Sequence, residues 1–176
     1  MPQIAQGFAL FQPSRALTLP LMGLALTVLL MGCGKGGQEH LADARQQLAS
    51  SAYAEAIAAA DAGLQTEPGE VTAWGLELVK LEAMARGGQG EAVVAQLEHM
   101  AQAYAKHLTA AEYSGTAHQL KEVDQGGMAI KVLDMGSERF PEDTSIAQMI
   151  EDVKAAAHSD VSPEELKMLR QLGYIE

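Results

Sequence analysis

Tyr53-Ala54-Glu55-Ala56-Ile57, running on through Leu64 to a proline at 68, is the stretch on which the fold turns. Its centre, an acid followed by alanine and an aliphatic residue, recurs: Glu55-Ala56-Ile57, Glu91-Ala92-Val93 and, with methionine in place of the acid, Met128-Ala129-Ile130. The three alanines lie 36 and 37 residues apart, and Pro68 and Pro141 each come 11 residues after the aliphatic member of their triplet. Each triplet follows a turn (Ser50-Ser51-Ala52, Arg86 to Gly90, Asp124 to Gly127) and opens an apolar-periodic stretch of about 12 residues, with another helical stretch upstream of the turn. A repeat of this length signals stacked helix pairs, because one pair cannot bury its apolar face alone and about three are needed for stability.

Composition points the same way. Alanine supplies 30 of 176 residues while aromatic residues make up 5%. That balance favours closely approaching helices over sheets, whose strands draw on β-branched and aromatic side chains. The single cysteine, Cys33, excludes a disulfide scaffold and a thiolate metal cage. A formal charge of −11 and a pI near 4.8 argue against nucleic acid as a partner, since phosphate neutralisation needs clustered Lys and Arg.

The helix pair with its period just above 34 resembles the tetratricopeptide repeat. Tyr53, Glu55, Ala56, Ile57, Leu64 and Pro68 match the second helix of that family's unit, and Ala44 and Ala117 fall where its two helices cross closely. Trp74 and Tyr113 sit near the family's tryptophan position in the second and third units. The middle copy departs: Gln96 and His99 stand at places that are usually aromatic and small, and no proline closes it. The expected fold class is all-α, a tetratricopeptide-like helical-hairpin solenoid of about three repeats plus a C-terminal capping helix. The cap is Thr144 to Ala157, whose Ile146, Met149, Ile150 and Val153 share one stripe.

Outward toward the N-terminus, Ala16 to Met31 carries no charge and is preceded by Arg15, the length of a secretory apolar segment and short for a membrane span. Leu30-Met31-Gly32-Cys33 follows at once, and this resembles the lipobox of bacterial lipoproteins. The resemblance implies a lipoprotein signal peptide over 1–32 and Cys33 bearing a diacylglycerol and an N-acyl chain. Gly34 after the cysteine implies the outer membrane, with the body facing the periplasm. Residues 33–38 then read as a glycine-rich tether, 39–157 as the helical domain and 158–176 as a short helix and tail. The chain from Cys33 onward holds 11 basic and 23 acidic residues, a charge of −12. The lipid must therefore provide the attachment, since an acidic body is repelled by anionic headgroups.

The last segment has clear helix punctuation: Ser162 as N-cap, Pro163 as first helical residue, Glu165 completing a capping box and Gly173 as the stop. Leu166, Leu169 and Leu172 form a stripe, followed by Tyr174-Ile175. Two readings stand side by side: the stripe docks onto the stack, or Leu169, Leu172 and Tyr174 present themselves to another protein.

Little else suggests chemistry. The histidines at 40, 99, 107, 118 and 158 lack metal-ligand spacing, although His99 and His107 stand two turns apart if one helix spans them. No nucleophile elbow, phosphate loop or dinucleotide fingerprint occurs. No catalytic residue, metal or dissociable cofactor is expected. On the first helices of the units, periodicity selects Gln46, Glu77, Lys80, Tyr113 and Lys121 as candidate groove residues. The functional expectation is a lipid-anchored adaptor of the bacterial envelope, binding another envelope protein or peptide in its groove in the manner of pilotins or assembly accessories. The alternatives are a passive structural lipoprotein and, less favoured, an enzyme acting on cell-wall polymer.

Overall fold

The computed structural model describes residues 35–156 and 162–176, and the expected signal peptide, Cys33 and the residue after it lie outside that range. Within it the chain is all-α, with no strand among the described residues. The helices are α1 (Gly37–Ala49), α2 (Tyr53–Leu64), α3 (Glu70–Arg86), α4 (Gly90–Ala103), α5 (Ala110–Glu122), α6 (Gly126–Arg139), α7 (Thr144–Ala156) and α8 (Pro163–Gln171). They pack as consecutive hairpins: α1 on α2, α3 on α4, α5 on α6. Neighbouring pairs join through α2 on α3 and through like members, α1 with α3, α3 with α5, α5 with α7, and α4 with α6, α6 with α8.

The repeat seen in sequence reappears in the turns inside the hairpins. Ser51, Gly88 and Asp124 each take a left-handed backbone, with φ of 60°, 70° and 59°. The next residue then bonds back across the helix end: Ala52 N to Gln47 O, Gln89 N to Met84 O and Gln125 N to Leu120 O, all at 2.9 Å. This closure caps otherwise unpaired carbonyls and reverses the chain within two residues. Only Gly88 is glycine. Ser51 and Asp124 adopt the same conformation against a steric cost of about 1 kcal/mol each.

Burial follows the expected stripes. Ala44 and Ala117 are fully buried at the crossings. One core gathers Leu41, Ala44, Leu48, Ala56, Ala60, Leu76, Val79 and Ala83; the other runs from Leu81 and Ala85 through Val93, Leu97, Met100, Tyr113, Leu120 and Leu133 to Ile146. α3 contributes to both, so it joins them mechanically. Each fully buried leucine of the second core contributes roughly 2 kcal/mol of transfer free energy.

One boundary differs from expectation. α1 begins at Gly37, inside the expected tether, because Gly36 N donates to Glu39 Oε2 at 3.2 Å and Gly37 packs under Pro68; a Cβ there would lie 2.7 Å from the proline's. At the other end, α8 belongs to the same compact unit as the rest of the described chain. Ser162 Oγ accepts from Glu165 N at 3.2 Å, Ser162 N donates to Glu165 Oε2 at 2.8 Å, and Gly173 stops the helix at φ 78°. Its Leu169 is buried, and Gly126 at the start of α6 lets Glu165 approach where a side chain would collide.

Candidate functional site

α3 has two working sides. Glu70, Trp74 and Glu77, spaced i, i+4, i+7, form the side that α4 and the α4–α5 connection hold. Glu70 Oε1 meets His107 Nε2 at 2.8 Å, and that hydrogen bond, followed by the His107 charge, holds the Glu70 carboxyl below its ordinary range. The Trp74 ring lies 5.8 Å from that of Tyr104 and 5.6 Å from that of His107. Glu77 is interior, at 3% exposure; Gln96 Nε2 donates to its Oε2, and His99 Nε2 stands 3.2 Å from its Oε1. A buried carboxylate is tolerated only when its oxygens are bonded. Burial, then the Glu77 and Glu70 charges, push the Tyr104 hydroxyl above its usual range.

Elsewhere on α3, Val71 is exposed, Gly75 is buried beside Leu41 and Arg45 of α1, and Leu78 and Glu82 turn toward α5. Opposite Leu78 and Glu82, α5 presents Ala111, Glu112, Gly115 and Gln119. Between them lies an open groove of about 230 Å³, floored further by Leu81 and Thr116. Glu82 Oε1 accepts from Arg86 Nη1 at 3.1 Å, and Glu112 Oε2 accepts from Thr109 N at 2.8 Å as part of the α5 cap. Gly115 is an exposed helix-interior glycine, and a Cβ added there meets nothing within 4 Å. It costs about 0.5–1 kcal/mol relative to alanine with no internal packing to require it. Gly136 differs, since a Cβ there would lie 2.9 Å from Tyr113 Cβ and from Ile146 Cδ1. Val71, two turns before Leu78, is 81% exposed, the exposed large apolar side chain of the described residues.

Of the groove residues selected from periodicity, Gln46 and Lys121 are exposed. Glu77 and Tyr113 are interior instead, the first clamped as above and the second in the larger core against Phe140, 6.0 Å between ring centroids. Lys80 turns toward α2, pairing with Asp61 at 2.7 Å. Leu169 is buried against α6, Leu172 is half-buried, and Tyr174 Oη donates to Asp134 Oδ1 at 2.7 Å. The C-terminal stripe is thus engaged by its own chain. His99 and His107 share no helix, because α4 ends at Ala103; each meets a different carboxylate of α3. Among the described residues no group of three or more His, Cys, Asp or Glu is placed to hold a metal ion.

The groove residues Leu78, Glu82, Ala111, Glu112, Gly115 and Gln119 escaped the sequence reading. The signal that could have found them is Leu78 and Glu82, one turn apart on one first helix, and Gly115 in the middle of the next. Chemically the groove offers apolar contact, carboxylate acceptors and one side-chain amide. Compared with family models, with curated proteins and with solved structures, the chain matches none.

Proposed function

We propose that this chain is a lipid-anchored, tetratricopeptide-like adaptor of the bacterial cell envelope that holds a segment of another envelope protein in the α3–α5 groove. Its role is binding rather than catalysis. One observation carries the reading: the first helices of successive hairpins, α3 and α5, leave between them an open, partly apolar groove lined by Leu78, Leu81, Ala111 and Thr116 with Glu82, Glu112 and Gln119. Grooves of this kind between rigid helices suit a helical or extended peptide, since the surface is ordered before the partner arrives. The anchor rests on Leu30-Met31-Gly32-Cys33, whose sequence suits lipidation of Cys33. Among the described residues no helix is long and apolar enough to cross a membrane.

Two measurements test the parts separately. A photoreactive residue at Gln119, irradiated in whole cells and followed by mass spectrometry, should capture a specific envelope protein; recovery of none would remove the adaptor role. Metabolic labelling with a palmitate analogue should mark the chain and be lost in Cys33→Ser, and a variant that still labels would remove the anchor.

A further inference from the structure

The chemistry of the groove goes further and names the kind of segment it takes; this rests on the adaptor reading above. Its two walls carry carboxylates of the same sign, Glu82 from α3 and Glu112 from α5, and no lysine or arginine lines it. Each carboxylate commits one oxygen, Glu82 Oε1 to Arg86 and Glu112 Oε2 to Thr109, so each keeps an oxygen for a further donor. The chain as a whole carries −11, which draws cations from a distance. The guanidinium of Arg45 lies near Gly75 on the α1 side, which confines the acidic walls to the stretch from Leu78 to Gln119. Between the walls the floor is apolar at Leu78 and Leu81, and it is lowered at Gly115, where the missing side chain opens space that the chain itself leaves unused. A helix-interior glycine without an internal neighbour is accounted for if an outside backbone comes close there.

We propose that the α3–α5 groove receives a positively charged segment with one apolar face, its backbone passing over Gly115, its aliphatic side chains against Leu78 and its Lys or Arg side chains paired with Glu82 and Glu112. An acidic segment is refused by the same walls, because like charges brought face to face repel.

The test uses the purified full chain in detergent and two fluorescent synthetic peptides, one an amphipathic Leu/Lys helix and the other its Leu/Glu counterpart. The Leu/Lys peptide should bind at least ten times more tightly. Gly115→Leu should weaken it at least tenfold, and Glu82→Lys should weaken it and raise binding of the Leu/Glu peptide. Equal binding of the two peptides, or binding indifferent to Gly115→Leu, overturns the proposal. Gly115→Ala guards against a folding artefact: it should raise the Tm by about 3 °C, and a fall would show that the fold itself needs the glycine. In cells, a partner captured from Gln119 whose capture survives Gly115→Leu and Glu82→Lys would leave the adaptor standing and remove this site. Capture of no partner would remove the adaptor reading itself.

Discussion

Around α1, α2 and one side of α3, four of the eight buried apolar residues are alanines, Ala44, Ala56, Ala60 and Ala83, whereas the core from Leu81 to Ile146 has three among fourteen and includes Tyr113, Met100 and Leu97. The first core is close-fitting and small in area, and the second is larger in side-chain volume. Helices brought together by alanine lose little when atoms are removed and much when atoms are added. Helices brought together by leucine and tyrosine behave the other way, because removal leaves a cavity. The same hairpin plan is therefore held by geometry at one end and by burial at the other, with α3 shared between them.

The largest effect expected from this contrast is Leu97→Ala in the second core, about 3 kcal/mol of lost stability measured by urea unfolding; a loss below 1 kcal/mol would mean that the second core is loose. Next comes Ala60→Leu in the first core, expected to cost about 2 kcal/mol through overpacking, and an unchanged midpoint would show slack between α1 and α2. At the turns the contrast disappears, since all three share one geometry. Gly88→Ala should cost about 1 kcal/mol and Asp124→Gly should gain up to about as much, and effects of the same sign in both would break the equivalence of the repeats. The smallest effect is confined to high pH. Burial raises the hydroxyls of Tyr113 and Tyr174 above their ordinary value. The stability they contribute is whole below about pH 10, the unfolded value, and is lost as pH rises through the raised folded values. Unfolding midpoints measured against pH should thus fall on the alkaline side, and less so in Tyr113→Phe.

The hairpins, the crossing alanines, the seventh helix and the caps of α8 were legible because each depends on near neighbours in sequence: a turn residue, a small residue at a fixed offset, a serine three places before a glutamate. The groove was not. α3 has 17 residues against 13 for α1 and α5, so the face of one first helix does not map onto the next. Glu77 is interior because Gln96 and His99 supply its partners. Those are two of the places where the middle unit departs from the repeat pattern, so these two departures go with the buried carboxylate. The inward turn of Lys80 is likewise decided by Asp61, across a hairpin boundary.

If Cys33 is lipidated as proposed, the early start of α1 sets the length of its leash. From Cys33 to Gly37 there are four residues, which reach about 14 Å at most when fully extended. With lipid on Cys33, that is roughly twice the depth of one headgroup layer, about 5–8 Å. The body would then ride on the bilayer surface and meet partners by sliding in two dimensions. It would favour partner segments that emerge close to the same leaflet over those far out in the aqueous space.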